Sequence, residues 1–107
     1  MNRRVYFDST WMVTVRLPGY ENQISVDIAL LNQLQTLIEE NFEEYPHIPV
    51  MELATYRDQP CLLITTGSYY LKLIKQMDFY FPESLARVID TNLAFTTNKI
   101  FSFRKID

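Results

Sequence analysis

The chain has 107 residues, is 48% hydrophobic and 14% aromatic, and carries a net charge of −3. That is the size of one ordinary domain with enough apolar material for a core, which argues against disorder and against a second domain. The apolar runs are too short for a transmembrane helix, the arginines of "MNRRVYFDSTW" precede no apolar stretch of signal length, and the single cysteine, Cys61, excludes an internal disulfide, so a cytoplasmic, reducing setting without membrane contact is expected.

Residues 3–17 alternate with a period of two. Val5, Phe7, Trp11, Val13, Val15 and Leu17 form the apolar set, and the pattern predicts a half-buried strand, bent or bulged at Asp8-Ser9. Pro18-Gly19 supplies a turn. The next segment is expected to be helical over 25–42: Ser25 can cap, Asp27 sits in the first turn against the positive end of the dipole, and no Gly or Pro follows until Pro46. At 100° per residue Leu30, Leu31, Leu34, Leu37, Ile38, Phe42 and Ile28 fall on about half the circle, and Ile28, Leu31, Leu34 and Ile38 are expected to face inward.

After the stiff loop Tyr45-Pro46-His47-Ile48-Pro49, the runs 50–56 and 61–66 read as strands about a turn at Arg57-Asp58-Gln59-Pro60. Cys61 reads as a small buried hydrophobe rather than a nucleophile, because it lies in an apolar strand-like run. Gly67-Ser68 then reads as a two-residue turn joining 61–66 to a strand at 69–75. A helix from Ser68, with Tyr70, Leu73, Ile74 and Met77 as its stripe, is the rival reading. Pro82 opens a short helix with Leu85, Val88 and Ile89 inward, and residues 93–106 read as one strand or a hairpin turning near Thr97-Asn98-Lys99. The sum is an α+β fold: an antiparallel sheet of about four to six strands, one long amphipathic helix across a face, and a second short helix.

Charge is unevenly spread. Residues 1–19 carry +2, residues 20–58 carry −7 and residues 59–107 carry +2. Within the acidic segment, "LIEENFEEYPHIP" holds four glutamates and the only histidine. Glu43 and His47 are four apart, but Pro46 ends the helix before His47, and no second histidine or cysteine lies nearby, so no metal site is expected. Glu39, Glu40, Glu43 and Glu44 lie at the polar side and the end of the helix, where they are expected to be solvated. Acids at a helix C-terminus oppose the dipole, a local cost that points to a role toward a partner.

No catalytic constellation is present. Two glycines leave no phosphate-cradling loop, one histidine and one cysteine on different elements give at most a speculative dyad, and no elbow motif supports a Ser-His-Asp triad, so neither enzyme activity nor a cofactor is expected. The expected order from residue 25 onward, helix, three strands, helix, resembles double-stranded-RNA-binding domains. Those domains carry a lysine cluster at the start of the second helix, where this chain reads "PESLAR". Tyr69, Tyr70, Lys72 and Lys75 make at most a small basic-aromatic patch, and direct nucleic-acid binding is not expected.

Protein binding is the class that remains. Seven Phe, seven Tyr and one Trp supply contact area. "MDFYFP" (77–82) reads either as a loop packing two of its aromatics or as a docking knob built on Phe79 and Tyr80. In size, acidic balance and absence of motifs, the whole chain resembles the cofactor-free inhibitors made by phages and mobile elements, anti-CRISPR proteins against Cas9-type nucleases among them. That resemblance implies an acidic surface facing a basic nucleic-acid channel in the host cell cytoplasm. The acidic helix end and the aromatic run together give Glu39, Glu40, Glu43, Glu44, Phe79 and Tyr80 as the expected partner-binding residues. A nucleic-acid-associated or oligomeric accessory domain of a bacterial regulatory system is the alternative, and a homodimer is compatible with either.

Overall fold

The computed structural model describes residues 9–17, 19 and 23–106. The elements run β1 (Ser9–Val15), α1 (Ile24–Phe42), β2 (Val50–Tyr56), β3 (Gln59–Thr66), α2 (Ser68–Gln76), β4 (Asp78–Tyr80), a 3-10 turn (Glu83–Leu85), β5 (Ala94–Thr96), the one-turn helix α3 (Thr97–Ile100) and β6 (Phe101–Lys105). The fold is α+β. A four-stranded antiparallel sheet in the order β2-β3-β1-β6 carries α1 across one face, and β4 and β5 pair separately. The first half of the expected N-terminal strand, with the bend at Asp8, lies outside the described residues. Pro18 does too, while Gly19 takes a φ of +88°, the left-handed conformation that glycine adopts without cost.

α1 forms because its apolar residues recur at helical spacing through a run without Gly or Pro. Val26, Leu30, Leu31, Leu34, Ile38 and Phe42 are buried against Val13, Leu62, Ile64 and Phe101 of the sheet. Ile28 is a correction: it is 41% exposed. It lies about 120° round from Leu34 at 100° per residue, outside the arc that meets the sheet. Asp27 sits inside that arc and is buried, and burial pushes its carboxyl above the ordinary value. A raised carboxyl favours folding fully below the unfolded pKa and loses that contribution as pH rises through the folded one. Asp27→Asn is therefore expected to stabilise the protein at neutral pH and to lose this advantage in acid. Urea unfolding of both forms at pH 3 and pH 7 measures it; an equal gap at the two pH values would refute the assignment.

β2 and β3 form the expected hairpin with a tighter turn. Arg57 and Asp58 both take positive φ, 52° and 65°, and Tyr56 pairs with Gln59 to close a two-residue loop whose twist matches the strands. Pro60 pairs with Thr55 inside the ladder. Having no N–H, it fits a position that makes no hydrogen bond to β2. Cys61 is buried as expected, and burial raises its thiol pKa.

The expected strand at 69–75 is instead the helix α2. Gly67 has φ −87° and ψ 165°, not the positive φ a hairpin turn would take, and the Leu71 amide donates to the Gly67 carbonyl at 3.0 Å as the first helical bond. The reason is topological. β3 is already paired by β2 on one side and β1 on the other, so no edge is free for a further strand. Helical spacing then buries Tyr70, Leu71 and Ile74, with Leu73 and Met77 half-buried beside them. The resemblance to the order of a double-stranded-RNA-binding domain ends with the loss of this third strand.

The rest of the chain also departs in detail. The helix after Pro82 shortens to the 3-10 turn, although Leu85 is buried and Val88 and Ile89 pack against the core. The chain does turn at Thr97-Asn98-Lys99, but the flanking strands do not pair with each other: β5 joins β4, and β6 joins β1. Buried Thr97 fixes this divergence. Its amide donates to the Met77 carbonyl at 2.9 Å and its hydroxyl to the Ile74 carbonyl, tying α3 to the end of α2.

Candidate functional site: an acidic and aromatic helix end

α1 ends at Phe42, with Glu43 as its C-cap and no basic residue in the last turn. Glu39, Glu40, Glu43 and Glu44 are all exposed. His47 lies beyond the helix in the following loop, so Glu43 and His47 do not share a helical face. The four carboxylates oppose the helix dipole at a cost of about 0.3–1 kcal/mol each when close to the terminus.

An aromatic cluster lies beside them. The Phe42 ring centroid is 4.6 Å from that of Tyr45 and 5.0 Å from that of Tyr70, Tyr45 and Tyr70 meet edge-on at 5.4 Å, and Tyr69 stands 6.1 Å from Tyr70. Phe42 and Tyr70 are buried and support the other two rings, Tyr45 at 40% and Tyr69 at 66% exposed. A shallow groove of about 300 Å³ between the end of α1 and α2 is lined by Asn41, Phe42, Tyr45, Leu73, Gln76 and Met77. Exposed carboxylates beside supported tyrosine faces suit a cationic ligand: the oxygens accept from guanidinium or ammonium groups, and the ring faces attract the same cations.

The other predicted contact residues separate. Phe79 is fully buried, against Phe81 and Phe101, and is corrected from docking residue to core. Tyr80, the last residue of β4 and flanked by the inward Phe79 and Phe81, is 60% exposed. The basic-aromatic patch is also divided. Tyr69 and Lys72 face outward, Tyr70 faces the core, and the Lys75 ammonium lies 5.5 Å from the Trp11 ring centroid and 5.7 Å from that of Phe103. Tyr45 and Tyr69 lie on separate segments, and only tertiary packing through Phe42 and Tyr70 joins them to the glutamates, which the sequence does not signal. Among the described residues no three His, Cys, Asp or Glu side chains stand together as metal ligands, and no helix is long and apolar enough to cross a membrane.

No protein-family model, curated protein or solved structure matches this chain.

Proposed function

We infer that the protein is a non-enzymatic binding module that engages a basic macromolecule through the end of α1. The observation that carries this reading is the pairing of four exposed glutamates with the exposed rings of Tyr45 and Tyr69. A helix end selected for stability alone would carry lysines or arginines there. The carboxylates would steer a basic partner into contact, and the tyrosines, braced by Phe42 and Tyr70, would anchor it at low entropy cost. An inhibitor of anti-CRISPR type, made by a phage and acting in the host cytoplasm, is the most specific version. It would occupy a basic nucleic-acid channel of a Cas9-type nuclease and exclude guide or target. Only the local acidity at this helix end suits that role, since −3 over the whole chain is too little to mimic nucleic acid throughout.

The test is capture from a host lysate with two immobilised baits: the wild-type protein, and a variant with Glu39, Glu40, Glu43 and Glu44 changed to glutamine and Tyr69 to alanine. All five positions are exposed, so the variant is expected to fold. The wild type should retain a basic protein that the variant releases. Equal retention by both baits would count against this surface.

A further inference from the structure

The sheet has two edges, and they are built differently. β6, at one edge, is five residues long and carries Arg104 and Lys105, charges of the kind that guard an edge from further pairing. β2, at the other, is seven residues long, runs in unbroken register with β3 from Val50 to Tyr56, and carries one charge, Glu52, with no proline and no bulge. Among the described residues nothing pairs with its outer side.

The backbone parity of β2 follows from its hairpin. Tyr56 and Gln59 close the two-residue loop and exchange hydrogen bonds, so Val50, Glu52, Ala54 and Tyr56 direct their backbone groups to β3. Met51, Leu53 and Thr55 direct theirs outward. Pro60 supports this parity independently, since it cannot donate to its partner Thr55. Beside this edge lies an apolar groove of about 460 Å³, lined by Ile24 and Ile28 of α1 and by Leu53, Ala54, Thr55, Asp58 and Pro60. Ile24, Ile28 and Leu53 are 41–53% exposed on this α1 side, while Val50 and Tyr56, 60% and 47% exposed, lie on the opposite face of the strand.

We propose that two copies of this chain associate through β2, pairing antiparallel about a two-fold axis at Leu53 to form one eight-stranded sheet. The edge is self-complementary in that register. Leu53 meets Leu53 of the second copy, and Met51 meets Thr55 of the second copy, so all outward backbone groups are paired. Val50 falls opposite Tyr56 of the second copy, a β-branched and aromatic pair of the kind that stabilises cross-strand contacts. Glu52 falls opposite Ala54 of the second copy. A shift by two residues toward the start of β2 would set Glu52 directly against its own counterpart, so charge also selects the Leu53-centred register. On the α1 side, Ile24 and Ile28 of both copies flank the two Leu53 side chains. The strip is roughly 24 Å long at 3.4 Å per residue. Each copy brings five large, partly exposed apolar side chains to the seam, Ile24, Ile28 and Leu53 on the α1 face and Val50 and Tyr56 on the other. The second copy is favoured over a foreign strand because register, charge and apolar content match under the two-fold. This interface is separate from the acidic end of α1.

Sedimentation equilibrium of the full chain from micromolar to millimolar concentration is expected to show a reversible monomer–dimer equilibrium. Register is tested by cysteine cross-linking. In Leu53→Cys the two Cα atoms would lie about 5.5 Å apart, within the span of a disulfide. In Thr55→Cys each cysteine would lie roughly 14 Å from its counterpart along the strand. Mild oxidation should link Leu53→Cys into a covalent dimer many-fold faster than Thr55→Cys, while buried Cys61 stays unreacted. A wild-type protein monomeric at every concentration would overturn the proposal, as would equal cross-linking of the two variants. A monomer that instead pairs β2 with a strand of another protein would overturn it too and assign the edge to that partner.

Discussion

Phe79→Ala is expected to cost about 3–5 kcal/mol of folding stability. The ring is fully buried and meets two others edge-on: Phe81 at 5.7 Å and 83°, and Phe101 at 5.1 Å and 81°. Phe81 in turn meets Phe95 at 6.0 Å, so one chain of rings fastens the small β4–β5 sheet to β6 of the large one. Removing the central ring deletes apolar contact and two aromatic pairs, and strand backbone on both sides limits how far the cavity can close. A domain of this size has about 5–15 kcal/mol to lose, so the variant should unfold at much lower denaturant. Tyr80→Ala, one residue on and 60% exposed, should shift stability by no more than about 0.5 kcal/mol. Denaturant titration of the two variants checks the pair. A Phe79→Ala loss below about 1 kcal/mol would restore the docking-knob reading of this segment.

Leu34→Ala is expected to cost about 2–5 kcal/mol. Leu34 is wholly buried at the centre of the α1 arc, among side chains from the two central strands β1 and β3. α1 is the only long helix among the described elements, and its contact with the sheet forms the main layer interface. Ile28→Ala on the same helix should cost less than about 1 kcal/mol, because that side chain is 41% exposed. The contrast between the two separates true inward residues from those that merely share a half-circle. Equal losses at both positions would show that the buried arc has been misplaced.

These residues also show what was legible in the chain. The long helix was readable because a 3.6-residue period ran through it without a breaker, and the β2–β3 hairpin because apolar runs flanked a polar turn. The helix α2 was not, since Gly67-Ser68 has the local chemistry of a hairpin and the deciding fact, that both edges of β3 are occupied, is a property of the whole sheet. In "DFYF" the alternation of Phe79 and Phe81 inward with Tyr80 outward is a period of two that three consecutive aromatics concealed. At the candidate site the exposure of the four glutamates followed from their place on the wheel. The tyrosines beside them did not, because Tyr45 and Tyr69 meet through Tyr70 only when α2 packs against the end of α1.

Recruitment of a basic partner by the charge at the end of α1 would show first in the rate of association. The most direct measurement is the association and dissociation rate of the captured partner with the wild-type protein and with the variant in which Glu39, Glu40, Glu43 and Glu44 are glutamine, at low and at physiological ionic strength. Exposed charges contribute only about 0–1 kcal/mol each to folding, so the variant should be as stable as the wild type or slightly more so as the dipole is relieved. For the wild type the on-rate should fall steeply as salt screens the carboxylates. The variant should start from a slower on-rate at low salt and show a flatter dependence, with the off-rate changed much less. Identical on-rates for the two proteins at both ionic strengths would exclude recruitment by charge and leave the four glutamates as an ordinary solvated helix end.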